Sequence, residues 1–141
     1  MKALLDTCVV IDLLQKREPF CMDAKDIFLC IANRRFEGFI SAKALTDVYY
    51  LMHRHTHSET ESRKALEILL KLVGVLPTSG VDCQKALLSE TADYEDAVMI
   101  ETAMRERMDC IVTRNLSDYA KSPIPVYAPG EFLALLAESE A

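Results

Sequence analysis

Short apolar runs that stop abruptly at polar residues alternate along this chain with longer stretches in which apolar side chains return every three or four positions. The first run, Lys2-Ala3-Leu4-Leu5, meets Asp6-Thr7 and predicts a buried strand, because it is brief, apolar and closed at once by polar residues. Phe39-Ile40-Ser41, Val73-Gly74-Val75-Leu76-Pro77, Cys110-Ile111-Val112-Thr113 and Pro125-Val126-Tyr127 predict four more. Between them, helical spacing predicts helices over 9–15, 20–33, 42–55, 59–72, 80–90 and 92–108, and Pro129 opens a last one through Leu136. The expected core stripes are Ala24, Ile27, Phe28, Ile31 and Ala32 in the second helix, and Leu45, Val48, Tyr49 and Met52 in the third. Ala65, Leu66, Leu69 and Leu70 form the next, and Ala97, Ile100, Ala103 and Met104 that of the long helix before the fourth strand. Ser41 is placed to cap the third helix.

Parallel strands need crossover connections, so this alternation predicts an α/β domain: a central parallel sheet of about five strands covered by helices on both faces. The chain has the length of one ordinary domain, and 50% of its 141 residues are apolar. With no internal repeat, low-complexity tract or dividing linker, a single domain over 1–141 is expected; the polar bend His55-Thr56-His57-Ser58 reads as an exposed loop. No run approaches the roughly 20 apolar residues of a membrane span, and Asp6 interrupts the N-terminal run before it could serve as a signal sequence. The expectation is a soluble, cytoplasmic protein with no membrane partner. The five cysteines are odd in number, scattered and set among apolar neighbours, which suits reduced thiols rather than a disulfide framework or a zinc site.

In open parallel sheets ligands collect at the carboxyl ends of the strands, which sorts the acids. Asp6 ends the first strand, and Thr113-Arg114-Asn115-Leu116-Ser117-Asp118 follows the fourth. Asp96 falls in the first turn of the long helix, and Asp47 lies one to two turns into the third helix on a stripe with Lys43, Tyr50 and Arg54. Each has a bland reading beside the functional one. Asp6 can close an Asx-turn, Asp47 can be a solvated helix acid, and Asp93-x-x-Asp96 suits capping and the helix dipole. Arg114 could clamp a phosphate or be a solvated loop charge. His53, His55 and His57 straddle a helix end and a loop, so their alternation builds no metal site. Cys8 beside Asp6 suits packing better than nucleophilic chemistry. Lys16-Arg17 and Arg34-Arg35 read as solvated turns, and Tyr49-Tyr50 as core plus rim. The net charge of −6 and pI near 5.1 argue against a broadly basic nucleic-acid surface. Carboxylates gathered around a cation would, however, add negative charge that the count records without the metal that offsets it.

Leu4-Leu5-Asp6-Thr7, Asp93-Tyr94-Glu95-Asp96-Ala97-Val98 and Val112-Thr113-Arg114-Asn115-Leu116-Ser117-Asp118-Tyr119, in that order, resemble the signature segments of PIN-domain proteins. The resemblance spans nearly the whole chain and is most specific in the last two segments. It implies a three-layer PIN-like fold with Asp6, Asp47 and Asp96 as catalytic and metal-binding carboxylates, and Asn115 or Asp118 near a more variable fourth position. Thr7 and Thr113 would be hydroxyls that position the acids, and Arg114 and Asn115 would support substrate or site. The implied cofactor is Mg²⁺ or Mn²⁺, a hard, oxygen-preferring ion that activates water for phosphodiester hydrolysis. The family often has asparagine where this chain has Cys8, glutamate where it has Asp47, and an acid where it has Asn115. Asp47, shorter by one methylene, would reach an ion through water.

The function so implied is a metal-dependent endoribonuclease acting on RNA. A stand-alone chain of this size resembles the VapC-like toxins of bacterial type II toxin–antitoxin pairs, which implies a homodimer and an antitoxin protein partner. The alternative is a PIN-fold nucleic-acid-binding module with weak or lost catalysis, supported by Asp47, Asn115 and the acidic balance. A receiver-type signalling domain would need an aspartate after its third strand, where this chain has Pro77-Thr78-Ser79.

Overall fold

The computed structural model describes residues 1–139. Five strands, β1 (Lys2–Leu5), β2 (Glu37–Ser41), β3 (Gly74–Leu76), β4 (Cys110–Val112) and β5 (Val126–Tyr127), form one sheet in the order β3-β2-β1-β4-β5, parallel throughout. Seven α-helices among the described residues cover it: α1 (Thr7–Leu14), α2 (Cys21–Ala32), α3 (Ala42–Thr56), α4 (Glu59–Leu70), α5 (Gly80–Ala86), α6 (Tyr94–Arg105) and α7 (Pro129–Ser139). The expected three-layer α/β architecture and its five parallel strands are what the structure shows.

β1 lies at the centre of the sheet, and Ala3, Leu4 and Leu5 are sealed from solvent on both faces, as a strand covered by two helical layers requires. Its register puts Leu5 opposite Val112 and Leu4 opposite Phe39. The chain steps outward from β1 through β2 to β3, then returns to the other side of β1 as β4 and continues to β5. The strand order therefore reverses between β1 and β4, the crevice where open α/β sheets hold their ligands.

Ser41 caps α3 as expected, its hydroxyl accepting from the Ala44 amide at 3.1 Å. The predicted core stripes hold with local exceptions. Ala44, Val48 and Met52 form the buried face of α3, and Leu45 and Tyr49 are half-buried beside it. Ala32, Leu70 and Met104, expected inside, are exposed; Thr102 is buried beside Ala103 instead. α6 begins at Tyr94 rather than 92, because Asp93 is its cap, and α5 stops at Ala86, short of the expected 90. A short 3-10 helix, Leu116–Tyr119, lies where the sequence pattern predicted no element.

Candidate active site

The carboxyl ends of β1 and β4 are stitched together across the crevice. The Asp6 amide donates to the Val112 carbonyl at 2.9 Å, and the Thr113 hydroxyl donates to Asp6 Oδ2 at 2.7 Å. Asp6 also serves as the N-cap of α1, its Oδ1 accepting from the Thr7 amide at 2.8 Å, so the local turn and the long-range bond fix both carboxylate oxygens. The residue is only 8% exposed, and burial pushes its carboxyl above the ordinary range against the opposing pull of Thr113, Thr7, Cys8 and Tyr119.

Asp93 and Asp96 divide their labour. Asp93 caps α6 by accepting from the Asp96 amide at 3.0 Å, which leaves the Asp96 carboxylate free to face the crevice. There burial, then the charges of Asp6 and Asp93, push Asp96 up to about 6. Asp47 reaches the same crevice from α3. Its Oδ2 accepts from the Lys43 ammonium at 2.6 Å, and that ammonium also meets Glu95 at 3.3 Å, tying the first turns of α3 and α6 across the opening. Burial pulls the Lys43 pKa down, but the two carboxylates outweigh it and hold the amine protonated.

The resulting cleft, of about 430 Å³, is lined by Asp6, Thr7, Cys8, Ile11, Arg17, Asp47, Tyr50, Leu51, Glu95, Asp96 and Asn115. Of the residues singled out from sequence, Asp6, Asp47, Asp96, Thr7 and Asn115 meet there, and Thr113 stands directly behind Asp6. Asp118 is exposed and does not line the cleft, although its charge contributes to the rise at Asp96. Arg114 turns away. Its guanidinium makes two bonds to the buried Asp12, at 2.5 and 3.1 Å, and lies 3.9 Å over the Phe20 ring, so it braces the end of α1 and does not face the acids. Cys8 points its thiol at Asp6 Oδ2, 3.7 Å away; burial and the Asp6 charge keep it protonated, a weak donor rather than a nucleophile.

Tyr119 closes the last signature segment, but the sequence reading gave it no role. It ends the 3-10 helix, is 1% exposed, and its hydroxyl is the one buried side-chain polar atom among the described residues without a hydrogen-bond partner. The hydroxyl stands close enough to Asp6 and Asp96 to favour their charged forms, yet outside hydrogen-bonding geometry. Burial and those two charges push the phenol far above its usual range. Glu95 and Lys43 were also missed as parts of the site. Their signal is positional: Glu95 adjoins Asp96, and Lys43 shares the Asp47 stripe.

A divalent cation fits these residues. Two carboxylates crowd one buried crevice, and among the described residues neither has an ion-pair partner. A buried hydroxyl aimed at both is unsatisfied, and the side-chain oxygens on offer are hard donors. Among the described residues no three of His, Cys, Asp and Glu are placed to hold an ion by themselves.

A family model for the PIN domain matches residues 2–117. Among curated proteins none matches. Several solved structures are similar. A toxin–antitoxin complex from Klebsiella pneumoniae is 25% identical, with a TM-score of 0.66 over 90% of this chain and 97% of that one. VapBC2 from Rickettsia felis, bound to a DNA fragment from its promoter, is 16% identical at a TM-score of 0.68, covering 90% of this chain and 97% of that one. VapC20 from Mycobacterium tuberculosis, a sarcin–ricin loop cleaving toxin, is 16% identical at a TM-score of 0.62, covering 77% of this chain and 86% of that one. Parallel sheet, switch-point acids and family match agree, and the chain belongs to the PIN domain family.

Proposed function

We propose that this chain is a divalent-metal-dependent endoribonuclease that hydrolyses RNA phosphodiesters, and that it acts in the cytoplasm as the toxin of a bacterial type II toxin–antitoxin pair. The observation that carries the reading is the convergence of Asp6 and Asp96 on one crevice at the sheet's switch point, both pushed toward protonation in the absence of a cation. The toxin–antitoxin complex from Klebsiella pneumoniae and the cleaving toxin from Mycobacterium tuberculosis, which share the fold, support the biological role. An antitoxin partner, self-association as a homodimer and a single functional unit over 1–141 belong to the same reading.

Asp6 and Asp96 are the residues that would hold Mg²⁺ or Mn²⁺. The bound ion supplies Lewis acidity toward the phosphodiester and makes water easier to deprotonate. Thr113 and the Thr7 amide fix the Asp6 carboxylate before substrate arrives, so its orientation costs nothing at the moment of reaction. Asp47 lines the same cleft, where it would orient water, and its partner Lys43 also pairs with Glu95 and offsets the charge of both acids. Asn115 lines the cleft as a neutral donor and acceptor in the variable fourth position, and exposed Asp118 acts on the site through its charge alone.

The test is a thermal-shift series in Mg²⁺ and Mn²⁺ on the wild type and Asp6→Asn, followed by incubation with structured RNAs. Metal at 100 times its Kd should stabilise the wild type by about 2.7 kcal/mol and leave Asp6→Asn nearly unmoved. Asp96→Asn should lower cleavage by about 100-fold or more, since it removes a direct ligand. A wild type that neither gains stability from metal nor cleaves RNA would sink the reading. Metal-dependent RNA binding without cleavage would favour the second reading, a PIN-fold binding module, for which the engagement of Asp47 by Lys43 is the supporting observation.

A further inference from the structure

The acidic cleft shares part of its wall with a second one. Arg17 and Leu51, on its wall, also line a neighbouring cleft of about 350 Å³ completed by Gln15, Arg54 and His55. Gln15 builds the seam. Its side-chain amide donates to the Leu51 carbonyl at 3.3 Å, while its Oε1 accepts from Arg17 Nε at 3.1 Å, which ties the end of α1 to α3 and holds the Arg17 guanidinium between the two clefts. The charge changes sign across that seam. Asp6, Asp47, Glu95 and Asp96 line the first cleft, and no carboxylate lines the second. Arg63, Arg105 and Arg114 are each paired with an acid, whereas among the described residues Arg17 and Arg54 have no carboxylate partner. Tyr50, 62% exposed, lines the acidic cleft beside Leu51.

We propose that Gln15, Arg17, Arg54 and His55 form a subsite for the phosphodiester backbone of single-stranded RNA, flanking the bond held at Asp6 and Asp96, with Tyr50 offering its ring to a base between them. The inference rests on the ribonuclease reading and adds where the substrate runs. A polyanion entering a cleft of four acids is repelled, and in a chain of net charge −6 the attraction must come from cations placed locally. Unpaired guanidiniums beside the acids supply it, with bidentate geometry suited to phosphate, and stacking on an exposed aromatic adds affinity without sequence preference.

The experiment uses the full chain carrying Asp96→Asn, which suppresses cleavage, and fluorescence anisotropy of a labelled single-stranded RNA of about ten nucleotides. Adding Arg17→Gln and Arg54→Gln keeps the side-chain stems and removes both charges. Binding should weaken at least about tenfold, and the slope of log affinity against log salt should fall by about 1.4, for two lost phosphate contacts at about 0.7 each on a single strand. Lys64→Ala, an exposed cation on α4 away from both clefts, should leave affinity unchanged. Affinity within twofold of the parent with an unaltered slope overturns the subsite. So does a double variant that keeps RNA but loses an oligoglutamate peptide, which would assign the groove to an acidic protein partner. Cleavage by the wild type, measured separately, shows whether a negative result removes only the subsite or the ribonuclease reading as well.

Discussion

The Tyr119 hydroxyl is buried against two carboxylates without a hydrogen bond, and an unsatisfied buried group of this kind costs about 1–3 kcal/mol. Tyr119→Phe keeps the ring that fills the core and deletes the unsatisfied atom. The Mn²⁺-induced stabilisation of this variant should shrink, because the hydroxyl that helps hold Asp6 and Asp96 in their charged forms is gone. Calorimetry with and without Mn²⁺ reads the shift, and a shift equal to that of the wild type would show that the hydroxyl does not act on the acids. At this scale the site was partly legible. Asp6 was readable because a strand end needs no tertiary information, whereas capping left Asp93 and Asp96 equivalent and Asp96 was singled out only through the signature segment; the structure gives the cap to Asp93. Arg114 misled because its partner, Asp12, is 102 residues away and nothing local marks the pairing. Tyr119 and Lys43 could not be placed without knowing which way the 3-10 helix and α3 turn their side chains.

Among the elements, α5 packs on α6 through a small apolar cluster, Ala86, Ala97 and Val98, and one buried acid. Asp82 is 1% exposed and accepts from Arg105 Nε at 2.9 Å and from the Thr102 hydroxyl at 2.8 Å, while closing a capping box with Ser79. Burial alone would raise its carboxyl, but Arg105, the Ser79 amide and Thr102 outweigh it and hold it down at about 2. Asp82→Asn should destabilise the protein by about 2–4 kcal/mol, through loss of the charge opposite Arg105 and of part of the cap, with a matching fall in denaturation midpoint. An unchanged midpoint would mean that the α5–α6 contact stands on its apolar residues alone. The starts of α3, α4, α5 and α7 were read to the residue, whereas α6 was begun two residues early, ahead of its cap Asp93. Ends were not. α1, α2, α3 and α6 are followed within two residues by Lys16, Arg34, His57 and Arg107 in the left-handed region, where glycine is the usual marker. Basic residues at those positions complement the helix dipole, but they carry no glycine-like signal in the sequence, so α1, α2 and α6 were read one, one and three residues too long.

For the molecule as a whole, the two groups of acids titrate with opposite effects on stability. Asp82 has a folded pKa near 2, below its usual 3.8, so its contribution is complete above about pH 4 and is lost as pH falls toward 2. Asp96 has a folded pKa near 6, above 3.8, so keeping it ionised costs stability above pH 6, and that cost is relieved as pH falls from 6 toward 4. A shift of that size corresponds to at most about 3 kcal/mol, lessened by solvent screening at this part-exposed carboxylate, and Asp6, raised in the same direction, titrates coupled to it. The metal-free protein should therefore be most stable between about pH 4 and 5, and should lose stability on going to pH 7. Saturating Mn²⁺ should reverse the trend, because an ion that binds only deprotonated carboxylates stabilises most where they are ionised, and protons displace it as pH falls through 6. Melting curves from pH 4 to 8, with chelator and with Mn²⁺, should therefore diverge above pH 6 and converge below it. Asp96→Asn should flatten the metal-free curve, since the amide has no proton to gain, and a curve still rising toward acid in that variant would move the cause from Asp96 to Asp6.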